Sequence, residues 1–229
     1  MNKKDLDQIL ADNPFASLSE VIYKALYESI IFLRIAPGSK LNESKIADEL
    51  GISRTPVKKA LGRLADDKLL MKKGGSISVV STMAKEESRR LYEARIAVEG
   101  YAAFLAASRI SQSQLAELER LAAQYAEIGL RLDPATYAEC DHRFHAVIIA
   151  ASGNDYISRM YQGLESRLLH YRHCLLHEIG PARLQPILAQ AARHHQTVLN
   201  ALKLGFADIA KAEIERDIGG MNNVFSEWR

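Results

Sequence analysis

Residues 43–66, ESKIADELGISRTPVKKALGRLAD, constrain the chain more than any other stretch. Ile46, Ala47 and Leu50 recur at helical spacing, and Gly51 follows at once, well placed to close a short helix. Ser53 is placed to cap a second helix over about 54–66. Pro56 falls in the first turn of that helix, where a missing N–H does little harm. Upstream, Leu18, Val21, Ile22, Ala25, Leu26 and Ile30 share one face of a helix over 18–33, which Pro37-Gly38 breaks. Downstream, LLMKK and SISVVS flank Gly74-Gly75 and predict a β-hairpin.

Helix, short helix, tight turn, helix and hairpin is the order of a winged helix-turn-helix. Leu41, Ile46, Ala47, Leu50, Ile52, Val57, Leu61 and Leu64 can form its small core. That leaves Arg54, Thr55, Lys58 and Lys59 free at the start of the third helix, which can enter a DNA major groove. Arg54 has the geometry to read guanine with two hydrogen bonds, and Thr55 and Lys58 suit phosphate or base contacts. Charge agrees with this reading. The chain carries only +2 overall, yet residues 51–75 hold seven basic side chains against two acidic ones. A basic focus in a near-neutral protein points to an anionic partner, although a charge run is also the ordinary look of a solvated helix face.

From residue 85 onward the periodicity is helical throughout, over 85–107, 112–130, 135–151, 154–178, 181–203 and 206–225. The fold class expected is therefore mainly α: a winged helix-turn-helix of three helices plus a small hairpin over 1–80, then an all-α bundle over 85–229. The two cysteines, Cys140 and Cys174, give no disulfide framework and fit a reducing cytoplasm. MNKKDLDQIL lacks the apolar run of a signal peptide, and no segment offers 18 uninterrupted apolar residues for a membrane span. A Gly-rich phosphate loop, GxSxG, CxxC and HExxH are all missing, so no enzyme is expected. Two alternatives stand beside the regulator reading: a metal-dependent hydrolase built on the helical half, and a DNA-binding protein that responds to no effector.

LNESKIADELGISRTPVKKALGRLADDKLL closely resembles the winged-helix domain of the GntR family of bacterial transcription regulators, over about residues 15–80. The resemblance implies operator contacts at Arg54, Thr55, Lys58 and the wing glycine Gly75. Lys58 stands where the family usually has arginine, which turns a two-pronged contact into a point charge. Ser44 stands where many members have a DNA-contacting arginine. The all-helical half is similar to the FadR-type branch, whose C-terminal FCD domain senses small molecules. That likeness rests on LYEARIAVEGYAAFLAA, DHRFHAVIIAASGND and HHQTVLNALKLGFADIAKAEIERD.

Many members of that branch hold a divalent metal through one Asp and three His. The resemblance carries these roles to Asp141, His145 and His195, and replaces the third histidine with Asp217. Two carboxylates and two imidazoles form a harder donor set, which tilts preference toward manganese while nickel and zinc stay in range. Arg95 matches an arginine that often binds an effector carboxylate; its structural alternative is a helix-surface pair with Glu99. His170, His173 and His177 form a stripe beside Cys174 that lines the effector pocket, binds metal or faces solvent. Asn154 reads as a helix cap. The expected protein is a homodimer, because half-sites on double-stranded operator DNA are read in pairs.

Overall fold

Local capping chemistry sets most element boundaries. The structure is a computed structural model, and it describes residues 15–82, 84–131, 134–179 and 181–228, with Leu6, Leu10 and Ala11. The expected breaks at 132–133 and Gly180, Met83 of the linker and most of MNKKDLDQIL lie outside the described residues. The chain divides into two compact units, Met1–Met83 and Ala84–Arg229. The architecture is mainly helical, with a winged helix-turn-helix followed by an all-α bundle.

The first unit contains α1 (Leu18–Ile31), β1 (Lys40–Asn42), α2 (Glu43–Leu50), α3 (Arg54–Asp66), β2 (Leu70–Lys72) and β3 (Ile77–Val80). Ser17 caps α1 by accepting from the Glu20 amide at 3.2 Å, and Asn42 caps α2 by accepting from the Lys45 amide at 3.0 Å. Gly51 closes α2 with a left-handed φ of 65°. Ser53 occupies the N-cap of α3, but its side chain makes no capping hydrogen bond. Pro56, three residues on, removes one of the two amide hydrogens a cap could accept.

Ile22, Ile30, Ala47, Leu50, Val57, Leu61 and Leu64 are buried, while Leu41, Ile46 and Ile52 are only half-buried. Polar contacts lock α1 to α3: the Arg63 guanidinium lies 3.9 Å from the Tyr23 ring centroid and pairs with Glu20, and the Tyr23 hydroxyl donates to Asp67 at 2.7 Å. The sheet contains the expected hairpin, β2 with β3, and adds a third strand. It has three strands in the order β1-β3-β2, antiparallel throughout, with Leu41 opposite Ser78 and Met71 opposite Val79. β1 is three residues long, too short to show alternation, and becomes a strand only by pairing with β3.

The second unit contains α4 (Lys85–Ala106), α5 (Gln112–Arg131), α6 (Pro134–Ala151), α7 (Asp155–Glu178), α8 (Pro181–Leu204) and α9 (Ala207–Trp228). α9 packs on α4 and α8; α6 packs on α4, α5 and α7. A Cβ at Gly100 would lie 2.9 Å from Glu215 Oε1, so the close approach of α4 to α9 uses the small residue. Inward stripes such as Ala210, Ile214 and Ile218 on α9, and Val198, Leu199 and Leu202 on α8, carry the packing. Asn154 caps α7, accepting from the amides of Tyr156 at 3.0 Å and Ile157 at 3.3 Å. Cys140 and Cys174 are buried and not joined in a disulfide. Among the described residues, no helix is long and apolar enough to cross a membrane.

The two caps give opposite expectations. Asn154→Ala should cost about 1 kcal/mol and lower the Tm by roughly 2–4 °C. Ser53→Ala should change stability by less than about 0.5 kcal/mol, since no cap bond is lost. Scanning calorimetry checks both, and a Ser53 loss as large as the Asn154 loss would contradict this account of α3.

Candidate functional site

Asp141 and His145 lie four apart on α6 and so share a face. His195 projects from α8 and Asp217 from α9, each within the inward stripe of its helix. One ligand atom from each of the four lies within 4.8 Å of every other. All four are buried, with relative exposures of 5% (Asp141), 1% (His145), 0% (His195) and 5% (Asp217). His145 Nε2 lies 3.3 Å from Asp217 Oδ2 and 3.8 Å from Asp141 Oδ1. His195 Nε2 lies 3.4 Å from Asp141 Oδ1 and 3.6 Å from Asp217 Oδ2.

These distances fit donors arranged around a cation. Bonds of roughly 2.0–2.2 Å place donors about 3–4.4 Å apart around one ion. Among the described residues, neither Nε2 atom makes a hydrogen bond, nor do His145 Nδ1, His195 Nδ1 or Asp217 Oδ1. Buried imidazole and carboxylate atoms without partners are costly unless something else satisfies them. The residues present therefore fit a divalent ion, including at Asp217, where the resemblance would have a histidine.

A shell of polar groups orients these donors. Arg172 on α7 pairs with Asp141 Oδ2, and the Tyr125 hydroxyl donates to Asp141 Oδ1 at 3.2 Å and contacts the Tyr137 hydroxyl. His145 Nδ1 lies 2.7 Å from Glu99 Oε2, and Glu99 in turn pairs with Arg95, Nε to Oε1 at 2.5 Å. The His195 ring stacks on Phe144, with centroids 4.0 Å apart and planes 10° apart.

Burial disfavours charge at every one of these groups, and the neighbours reverse it. It would raise Asp217, but the two imidazoles hold its carboxyl well below the usual range. For Asp141 the opposing charges are Arg172 and then the imidazoles. Glu99 is held down at about 2 against burial, chiefly by Arg95. Burial would lower His145, yet Glu99 and Asp141 lift it to about 9.

The other expected residues separate from this cluster. Arg95 reaches it only through Glu99, and their pair is fully buried rather than on a helix surface. His173 is buried and pushed down to about 4 by burial and then by Arg172. His170 Nε2 lies 3.7 Å from Cys174 Sγ, while His177 is exposed. His142 and His194 turn to Glu165 and Glu213, at 2.9 and 2.8 Å. Arg172, Tyr125 and Tyr137 were not singled out from the sequence. Arg172 lies in a run, residues 170–176, that the fold buries continuously, so its guanidinium needs a carboxylate there.

In the first unit, Arg54, Thr55, Lys58 and Lys59 are exposed on α3, and Gly75 is exposed at the wing tip with φ 57°. Arg54 donates from Nε to Ser44 Oγ at 2.9 Å, with Nη2 also on that oxygen, so Ser44 braces the arginine.

A winged helix with an exposed basic third helix, followed by a helical bundle enclosing a buried polar cluster, is the arrangement of a DNA-binding transcription regulator with a C-terminal helical domain. The chain belongs to the GntR family with FadR-type architecture: residues 18–80 match the gntR family of bacterial regulatory proteins, and residues 90–219 match the FCD domain. It is 24% identical over 223 residues to the HTH-type transcriptional repressor RspR of Escherichia coli K12, covering 94% of this chain and 95% of that one. Its fold is similar to that of E. coli McbR/YncC, with a TM-score of 0.76, 22% identity and coverage of 94% and 100% of the two chains. It is also similar to a GntR regulator from Rhodococcus sp. RHA1, with a TM-score of 0.75, 19% identity and coverage of 93% and 100%.

The raised His145 gives a pH signature in protein stripped of metal. A folded-state value near 9, above the ordinary 6.5, contributes stability that is complete below pH 6.5 and is lost as pH rises through 9. Urea unfolding in a chelator should show a loss on the order of 3 kcal/mol across that window, and His145→Gln should flatten it. A wild-type profile that is level from pH 6.5 to 9 would show His145 to be uncharged.

Proposed function

We propose that this chain is a dimeric operator-binding regulator whose DNA affinity responds to a small carboxylate bound at a divalent ion in the helical unit. The observation that carries this reading is the convergence of Asp141, His145, His195 and Asp217, buried and lacking hydrogen bonds at their facing nitrogens. The ion would be held by those four residues and would supply a Lewis-acidic point for an anionic ligand. Manganese suits the two-carboxylate set best, with nickel and zinc as the competing choices.

Charge supports an anionic effector. Three carboxylates (Asp141, Asp217, Glu99) face two guanidiniums (Arg95, Arg172), and a divalent ion beside neutral imidazoles leaves one positive charge over. A monocarboxylate neutralises it. A chain reading only the four donors would find the ion already neutralised; Arg172 supplies the difference.

On the DNA side, Arg54 enters the major groove with its guanidinium already oriented by Ser44 and reads guanine. Thr55, Lys58 and Lys59 contact phosphates or neighbouring base edges. Gly75 lets the wing backbone approach the minor groove. Pairing of half-sites requires two copies. The effector acts by binding one of two conformations better, which changes operator affinity by the same coupling free energy.

Three measurements test this. Arg54→Ala should weaken specific operator binding roughly 5- to 150-fold while leaving the protein folded; an unchanged sequence preference would remove the reading helix from the mechanism. Elemental analysis of purified protein should find about one divalent ion per chain, and a chelated sample should take manganese back up. Small carboxylates at a hundred times their Kd should raise the Tm of the metal-loaded protein by roughly 5–10 °C and leave the chelated protein unmoved. Hits confined to neutral compounds would defeat the carboxylate assignment.

A further inference from the structure

The arginine expected to clamp an effector is already engaged. Arg95 and Glu99 are both almost completely buried, and the guanidinium meets the carboxylate along one edge, Nε to Oε1 at 2.5 Å and Nη2 to Oε2 at 3.2 Å. Glu99 Oε2 is also the atom 2.7 Å from His145 Nδ1. On the far side of the same ring, His145 Nε2 faces Asp217 Oδ2 at 3.3 Å. A neutral imidazole carries one N–H, and a carboxylate at one nitrogen fixes the proton there and leaves the other nitrogen as a lone-pair donor.

We propose that Glu99 and Arg95 are positioning residues of the metal centre. Glu99 accepts the Nδ1–H of His145 and so presents Nε2 to the ion, and Arg95 holds Glu99 in that pose. The arrangement repeats at the other α6 donor, where Arg172 takes Asp141 Oδ2 and leaves Oδ1 facing the cluster. Arg95 therefore acts on the ion through two intermediaries and does not clamp the effector directly.

This rests on the metal reading above, and the test separates the two. Full-length protein is titrated with Mn2+ alone against a fluorescent chelator, and Co2+ absorption reports the ligand geometry. Arg95→Met should weaken Mn2+ binding about 10- to 100-fold and alter the Co2+ spectrum, Glu99→Gln should do likewise, and Arg95→Lys should fall between wild type and Arg95→Met. The double variant Arg95→Met/Glu99→Gln, which removes both buried charges together, should bind no more weakly than the weaker single variant, because the two act in series. Arg95→Met binding within twofold of wild type, or losses that multiply in the double variant, would overturn the proposal.

A measurement on wild type covers the case in which a variant fails to fold. Imidazole 15N correlation spectra of the Zn2+-loaded protein should show His145 protonated at Nδ1, and protonation at Nε2 would overturn the proposal equally. Wild type that binds none of Mn2+, Co2+ or Zn2+ would end the metal reading itself.

Discussion

The helical unit is organised around a problem of buried charge. Asp141, Asp217 and Glu99 are three carboxylates almost out of reach of water. Each would be prohibitive alone, and each is retained because a cation faces it. Arg95 answers Glu99 and Arg172 answers Asp141, which leaves one negative charge over. In the metal-free protein a proton on His145, whose ring Glu99 and Asp141 raise to about 9, would remove it. A divalent ion would replace the proton and invert the balance by one charge. The same set of side chains would thus accept a proton or an ion, and an ion would make it attractive to an anion.

Such a cluster dictates where helices can go. Its members come from α4, α6, α7, α8 and α9, so all five must converge on one interior point. Close approach has a local source at Gly100, where α9 comes in against α4 with Glu215 over the missing side chain. The reading unit solves a smaller problem by different means. Its core is modest, and the polar bracket of Arg63, Tyr23, Glu20 and Asp67 joins α1 to α3. α3 is then free to expose Arg54, which Ser44 braces across the turn.

Much of this was legible in sequence, for reasons that vary by residue. Helix periodicity is a local signal, and Gly51 and Asn154 announce caps through their own chemistry. Asp141 and His145 could be read as a pair because four residues set one helical face. What escaped depends on contacts distant in sequence. β1 exists only through β3, and the sequence of three residues cannot show that. Ser53 is a local exception: it stands at the N-cap without a cap bond, with Pro56 three residues on withholding one amide. Arg172 stands between His170 and His173, which drew attention as the more familiar ligands, yet its carboxylate partner is 31 positions away on another helix. Arg95 was read from a likeness, and only the fold reveals that Glu99 is buried with it and also meets His145.

The four donors are not held alike. Asp141 and His145, both on α6, are braced by Arg172, Tyr125 and Glu99. Among the described residues, His195 Nδ1 and Asp217 Oδ1 make no hydrogen bond; the His195 ring is held by its stack on Phe144, and Asp217 Oδ2 faces both imidazoles. Charge holds the α6 donors, and charge together with the Phe144 stack holds the other two. An ion bound there would tie α8 and α9, through His195 and Asp217, to α6. α8 and α9 are also the last two helices of the bundle, and α9 is the one that lies along α4. A ligand that adds to or removes from the coordination of that ion would act on α8 and α9 through His195 and Asp217.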